Sequence, residues 1–138
     1  MTAVLAIDSS VLVAILKQEP ERDDFLKLID VSHCVIGWPT VLETRLWIVR
    51  KSALESSGWF DNFLKAPGTV TVDFSEQLEG IAHSALLAFG KGRHPAKLNY
   101  GDCMAYAVAK HHDVPLLFKG ADFGKTDVKI HPASIMED

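Results

Sequence analysis

Residues 3–17 have the sequence AVLAIDSSVLVAILK, and this stretch indicates the fold class of the chain more clearly than any other. Its first five residues form an apolar run typical of a buried strand, and residues 11–17 have the apolar density of a helix. Asp8, Ser9 and Ser10 lie between them and predict a turn, with Ser9 or Ser10 as the helix N-cap. A strand followed by a short turn and a helix is the typical first unit of an α/β fold.

The same alternation of strand and helix continues along the chain. Apolar runs predict further strands at residues 34–37, 69–74, 114–118 and 128–131, and helical spacing predicts helices at residues 21–31, 41–50, 55–65, 75–89 and 100–112. Strands that alternate with helices favour a parallel sheet. We therefore predict a single domain over residues 1–138, an α/β three-layer sandwich whose short parallel sheet is flanked by helices on both faces.

Composition excludes several classes of protein. Hydrophobic residues make up 48% of the 138 residues and charged residues 23%, which is ordinary for a globular protein and argues against disorder. The longest stretch without a charged residue, 31–42, is too short for a membrane helix, and the first residues lack the basic start of a signal peptide. We expect a cytoplasmic protein without a membrane partner. Cys34 and Cys103 lie in apolar stretches and are predicted to be buried and reduced.

Four acidic residues follow or begin predicted elements at corresponding edges. Asp8 ends the first strand, Glu43 lies near the start of the helix after the second strand, and Asp102 lies near the start of the helix at 100–112. Asp122 follows the apolar run PLLF. Side chains beyond the carboxyl ends of parallel strands gather at one edge of a sheet, so these carboxylates are candidates for one pocket.

Crowded carboxylates repel one another unless one is protonated or a cation is bound. Oxygen ligands around an open pocket favour Mg²⁺, with Mn²⁺ as the alternative. Such an ion can lower the pKa of a water molecule and offset charge on a scissile phosphodiester. The simpler interpretation is that each acid only stabilises the start of a helix, where free N–H groups favour it.

A basic segment precedes the third of these acids. Residues 90–99 have the sequence GKGRHPAKLN, in which Lys91, Arg93, His94 and Lys97 are potential cations. The net charge of the chain is −4, so any contact with nucleic acid would need a local basic patch of this kind. The segment is suited to gripping a phosphate backbone, and a solvated loop explains its composition equally well.

Four motifs together resemble a known family. They are DSS at residues 8–10, PTVLE at 39–43, LNYGDC at 98–103 and PLLFKGADF at 115–123. In this order they resemble PIN-domain ribonucleases and, more narrowly, the VapC toxins of type II toxin–antitoxin pairs. The resemblance runs from residue 4 to about residue 130, and its most specific part is GKGRHPAKLNYGDCMAYAVAK followed by PLLFKGADFGKTD.

The resemblance implies a PIN-like fold and a role for each acid. Asp8 and Asp102 would be the direct Mg²⁺ ligands, while Glu43 and Asp122 would hold the metal through water or position the attacking water. Ser9 would orient Asp8 or contact substrate.

Three further positions follow from the same resemblance. Thr40 would cap the helix that carries Glu43. Related sequences often have an acid where this chain has Ala121, so the fourth acid would be Asp122, with Asp127 in reserve.

The implied activity is endonucleolytic cleavage of RNA by metal-activated water, with Arg93 and Lys97 as candidate RNA contacts. The implied partners are a cognate VapB-type antitoxin that covers the acidic pocket and a second copy of the chain in a homodimer.

Two other functions stay open. A Mg²⁺-dependent phosphoryl-transfer domain also uses aspartates beyond parallel strands, but a phosphatase of the aspartyl-phosphate type needs D-x-D where this chain has Asp8-Ser9-Ser10. A PIN fold that retains only its interaction surfaces is the alternative from a different class. Metal-dependent cleavage of RNA would distinguish the enzyme from the interaction module.

Overall fold

The computed structural model describes residues 2–137. Its main sheet has four parallel strands in the order β3-β2-β1-β4, and two short strands, β5 and β6, form a second parallel pair. In chain order the strands and helices are β1 Ala3–Ile7, α1 Ser9–Leu16, α2 Arg22–Asp30, β2 Ser32–Gly37, α3 Trp38–Arg50, α4 Ser57–Lys65, β3 Thr69–Val72, α5 Glu76–Phe89, α6 Tyr100–His112, β4 Leu116–Leu117, β5 Lys119–Gly120 and β6 Ile135–Met136. Short 3₁₀ turns occupy Leu54–Ser56 and Phe123–Lys125.

Both faces of the main sheet are buried under helices. Alternate residues of a strand point to opposite faces, so a strand such as β1 contributes to clusters on both faces. Leu5 and Ile7 of β1 pack in a cluster with residues of α1 to α4, whereas Ala6 packs in a second cluster with α5 and α6. Parallel sheets covered on both faces have nearly continuous apolar strands, as β1 has. The predicted α/β sandwich with helices on both faces is thus confirmed.

The strand register brings the ends of β1 and β4 to one edge. Ile7 is opposite Leu117, and the backbone N–H of Asp8 donates to the carbonyl of Leu117 at 3.0 Å. Gly37 ends β2 beside them, and a Cβ there would lie 3.0 Å from a methyl group of Val108 in α6. This close approach seats α6 against the same edge of the sheet from which α1 and α3 begin.

Two helix starts differ from the prediction. Neither Ser9 nor Ser10 is the N-cap of α1; Asp8 is, and its carboxylate accepts from the backbone N–H of Ser10 at 3.1 Å. Helix α3 begins at Trp38 with Pro39 in its first turn. Proline lacks an N–H, and at this position the N–H would have no partner within the helix. Thr40 therefore lies inside the helix, and its buried side chain does not cap it.

The C-terminal strands also differ from the prediction. Residues 128–131 form only an isolated bridge, between Ile130 and Leu116, and not a strand. Residues 119–120 and 135–136 pair instead, in runs too short to show periodicity in the sequence. Cys34 and Cys103 are buried free thiols, as predicted. Across residues 2–137, no helix has the length and apolar character needed to cross a membrane.

Candidate active site

Asp8 lies at the carboxyl end of the central strand and is 4% exposed. The chain turns directly from β1 into α1 at this residue, so one of its carboxylate oxygens is used to cap the helix through Ser10. A buried carboxylate at the start of a helix is stabilised by the free N–H groups of the first turn. Burial nevertheless outweighs this stabilisation of the charged carboxylate.

Asp102 enters the same region from the first turn of α6, in a reciprocal capping arrangement with Asn99. The side chain of Asn99 accepts from the N–H of Asp102 at 2.8 Å, and Oδ2 of Asp102 accepts from the N–H of Asn99 at 3.0 Å. This capping box holds the Asp102 carboxylate in one orientation. Asn99 was not identified from the sequence as a site residue, although an Asn followed three residues later by an acid at a helix start is a detectable signal.

Glu43 projects from α3 between the first turns of α1 and α6. Its Oε1 accepts from Oγ of Ser9 at 2.8 Å. Its carboxylate also lies against the backbone of Gly101, where an added Cβ would be 1.9 Å from Oε2. The Ser9 hydroxyl thus orients Glu43, and the backbone of Ser9 also helps to stabilise the charge of Asp8. The resemblance implied that Ser9 would orient Asp8 or contact substrate, and the substrate contact stays a prediction. Glycine at position 101 leaves the space that the carboxylate occupies.

The pKa values of two carboxyls show that their negative charges are poorly compensated. Burial raises the pKa of Asp8 to about 6, and the nearby charge of Glu43 adds to the effect. Burial, together with the charges of Asp8 and Asp122, raises the pKa of Asp102 to about 8. The charges that act on Asp8 and Asp102 come from Glu43, from Asp122 and from each other, so the four predicted acids lie in one region.

Asp127, the reserve candidate for the fourth acid, has other partners. Its carboxylate accepts from the phenol of Tyr106 and lies 3.2 Å from Nζ of Lys110, on the flank of α6. Hydrogen bonding to Tyr106 is the main cause that lowers the pKa of Asp127. Asp122 therefore lies beside Asp102. Asp127 lies in a separate cluster with Tyr106 and Lys110.

The basic segment forms an ordered connection between α5 and α6. Its ends are tied together, since Leu98 donates to the carbonyl of Phe89 at 2.9 Å and Lys91 donates to that of Leu98 at 3.0 Å. The side chains of Lys91, Arg93 and Lys97 are exposed, and none pairs with a carboxylate within residues 2–137.

The fourth basic residue of the segment has a local role. His94 accepts from the N–H of Ala96 and packs edge-on against Phe89. Lys91 and Lys97 are therefore available to an anion near the start of α6. By contrast, Nε of Arg93 already donates to the carbonyl of Leu87 at 3.2 Å, which leaves only its other guanidinium nitrogens available.

An apolar groove adjoins the acids. It has a volume of about 530 Å³ and is bounded by Trp38, Leu42, Leu46, Tyr100 and Met104, with Glu43 and Gly101 also in its lining. Leu42 and Tyr100 are 68% and 76% exposed. Large exposed apolar side chains that lie together are typical of a surface that binds another protein.

The acids fit a divalent cation by their chemistry. They offer hard carboxylate oxygens, and the raised pKa values of Asp8 and Asp102 show that protein donors leave their charge undercompensated. Within residues 2–137, no three Asp, Glu, His or Cys side chains converge closely enough to hold a metal ion together. The donor set therefore suits an ion held by two carboxylates that keeps part of its water shell, as Mg²⁺ does.

Without metal, the protein is expected to lose stability as the pH rises from about 7 to about 8.5. Unfolded Asp102 is ionised throughout this range, because its ordinary pKa is 3.8, whereas the folded protein holds a proton there up to its pKa of about 8. While only the folded state holds this proton, each rise in pH lowers the free energy of unfolding, and the loss levels off once Asp102 ionises in the fold. Burial lowers the pKa of His112 and His131, which are mostly neutral in this range. Melting temperatures in EDTA buffers would measure the slope, and a rise in stability would contradict the prediction.

Comparisons with known proteins agree with this architecture. The family model described as "PIN domain" matches residues 5–129. The chain is 37% identical over 125 residues to "Ribonuclease VapC30" of Mycobacterium tuberculosis, covering 90% of this chain and 95% of that protein.

Two solved structures have the same fold. The VapC20 toxin of M. tuberculosis, described as cleaving the sarcin–ricin loop, superposes with a TM-score of 0.74 at 12% identity, covering 90% of this chain and 95% of that one. VapBC2 of Rickettsia felis, bound to a promoter DNA fragment, gives a TM-score of 0.67 at 13% identity over 97% of each chain. The chain belongs to the PIN-domain family and, within it, to the VapC branch.

Proposed function

We propose that this protein is the toxin of a VapBC-type toxin–antitoxin pair and acts as a metal-dependent endoribonuclease. The observation that carries the proposal is the group of four carboxylates at the carboxyl edge of the sheet, two of them with strongly raised pKa values. Like charges this close together are unfavourable when no cation is bound. Carboxyls with strongly shifted pKa values are typical of functional sites. The 37% identity to a VapC ribonuclease supports RNA as the substrate.

Each acid has a distinct part in the proposed reaction. Asp8 and Asp102, held by Ser10 and Asn99, would bind Mg²⁺ or Mn²⁺ directly. When bound, the ion would lower the pKa of a water molecule and offset charge on the scissile phosphate. Glu43, oriented by Ser9, would position the attacking water and accept its proton, and Asp122 would hold the outer part of the water shell.

The exposed cations near α6 would bind the RNA backbone. Arg93 and Lys97 belong to the segment that ends at Asn99, the residue that caps α6 and orients Asp102. Contacts with phosphates position a nucleic acid without reading its sequence. Selectivity would therefore depend on RNA shape and on single-stranded exposure of the cleavage site. Action on translation-related RNA would place the protein in the cytoplasm.

A cognate VapB-type antitoxin is the proposed partner, and a homodimer is the proposed assembly. A similar fold occurs in the VapBC2 complex of R. felis, which supports an antitoxin here as well. The apolar groove that shares Glu43 with the acid group would provide contact area for a protein partner. A basic side chain from the antitoxin would compensate the charge of the acids when no metal is bound.

Cleavage of a structured RNA pool by the purified protein tests this function. We expect cleavage with Mg²⁺ or Mn²⁺ and none in EDTA, because no cation then compensates the carboxylates or activates water. An Asp102→Asn variant serves as the control against a contaminating nuclease. Cleavage that survives the substitution would point to a contaminating nuclease and leave the proposal unsupported. Folded, antitoxin-free protein that neither cleaves RNA nor is toxic when expressed would favour a PIN-fold interaction module.

A further inference from the structure

Lys119 lies three residues before Asp122 and is held at both its backbone and its side chain. Its N–H donates to Oγ of Ser10 at 3.0 Å. Its ammonium lies 3.1 Å from Oε2 of Glu19 and also contacts Oε1 of Glu21. These two glutamates flank Pro20 in the turn between α1 and α2, about one hundred positions earlier in the chain. The contacts therefore join two distant segments.

This cluster is more buried than the other ion pairs of the protein. The side chains of Lys119 and Glu21 are 17% and 15% exposed, whereas those of Lys129 and Asp113 are 63% and 81% exposed. Exposed pairs contribute little, but removing one partner of a shielded pair leaves a charge uncompensated. Hydrogen bonding between the two side chains raises the pKa of Lys119 and lowers that of Glu21. The positive charge of Lys119 is thus compensated by Glu19 and Glu21.

The same segment is also held from its other side. Strand β5, which contains Lys119 and Gly120, pairs with β6, and Ile135 donates to the carbonyl of Phe118 at 3.0 Å. Gly120 has a φ of +146°, a conformation that side chains rarely adopt, and the chain turns directly after it, at residues 121–122. This turn leads directly to Asp122.

Ser10 connects the cluster to the acids. Its hydroxyl accepts from the N–H of Lys119, and its own N–H donates to Oδ2 of Asp8. A movement of residues 119–122 would therefore disturb both the position of Asp122 and the residue that orients Asp8.

We propose that Lys119 is a positioning residue: clamped by Glu19 and Glu21, it holds the turn that places Asp122 beside Asp102. This inference rests on the proposed ribonuclease function. It assigns no substrate contact to Lys119, because two carboxylates already compensate its charge. Arg93 and Lys97 differ from it in this respect, because no carboxylate among residues 2–137 pairs with either of them.

The test compares Lys119→Met and Glu21→Gln with the double variant and with Lys119→Arg. We expect each single substitution to lower kcat by about 10-fold and to raise the Mn²⁺ concentration needed for half-saturation, with little change in KM for RNA. The double variant should be no worse than either single one, because both remove the same clamp. Lys119→Arg should restore most of the activity, and Lys129→Met is the control for an exposed ion pair.

Hydrogen exchange provides a readout that does not depend on activity. The amides of residues 119–123 should exchange about 10-fold faster in Lys119→Met and in Glu21→Gln than in the wild type, while those of α5 stay unchanged. Unchanged exchange in both variants would overturn the proposal whether or not the protein cleaves RNA.

Three kinetic outcomes would also overturn the proposal. If Lys119→Met raised KM while Glu21→Gln left it unchanged or lowered it, Lys119 would be an RNA contact. If both variants only melted at a lower temperature and kept kcat and Mn²⁺ affinity, the cluster would be structural. Full activity in both variants would show that Asp122 needs no clamp. A wild type that cleaves no RNA would refute the proposed function instead, and exchange would still decide the role of Lys119.

Discussion

Replacing Asp102 with Asn is expected to abolish RNA cleavage and, in metal-free buffer, to leave the melting temperature unchanged or raise it. Residues that only orient metal ligands already change activity by about 10- to 100-fold, so loss of a direct ligand should exceed 100-fold. Stability should not fall, because the amide oxygen of Asn can still accept from the N–H of Asn99. The substitution also removes a carboxyl whose ionisation is unfavourable in the fold, as its pKa of about 8 indicates.

The pH dependence provides a second measurement on this variant. The loss of stability expected between about pH 7 and about pH 8.5 arises from the proton on Asp102, so Asp102→Asn should flatten it. Strong destabilisation of the variant in EDTA would contradict the electrostatic argument, even if cleavage were lost. Asp127→Asn is the matched control, since Asp127 pairs with Tyr106 and Lys110 away from the acid group. It should keep its activity.

The fold could be predicted from the sequence because it depends on local pattern. The four acids could be named as candidates for one pocket, whereas their roles followed only from the family resemblance and stay predictions. Alternation of apolar runs with helical spacing predicts a parallel sheet, and the sheet itself gathers Asp8, Asp102 and Asp122 at one edge. The strand order of the sheet is not encoded in such local pattern. The pairing of β5 with β6 was also missed, because two-residue strands have no detectable periodicity.

The partners of the acids could not be predicted, because they depend on how helices cross. Ser9 begins α1 directly after Asp8, yet its hydroxyl reaches Glu43 on α3. The contact between Lys119 and Glu21 likewise joins residues that only the folded chain brings together. The site is thus recognisable from its carboxylates, whereas the groups that orient them require the structure.

Replacing Gly101 with Ala is expected to lower cleavage by about 100-fold while leaving the fold intact. A Cβ at this position would lie 1.9 Å from Oε2 and 2.7 Å from Cδ of Glu43, so the carboxylate must move away. Movement of about 1 Å at a reacting group can reduce the rate by about 100-fold. The obstacle is the end of a flexible side chain, and Ala favours a helix by up to about 1 kcal/mol over Gly, so the melting temperature should be unchanged or slightly higher.

Gly80→Ala is the matched control, because it makes the same substitution in a helix where a Cβ would have no neighbour within 4 Å. It should raise stability in the same way and leave cleavage unchanged. Gly101→Ala combined with Glu43→Gln should be no less active than Glu43→Gln alone, because both changes act through one carboxylate. Full activity of Gly101→Ala would show that the reaction does not need Glu43 where Ser9 holds it. A strong loss of stability would instead mean that α6 cannot accept a side chain at this position. If the Glu43 carboxylate were the sole obstacle, it would move aside at little cost in stability.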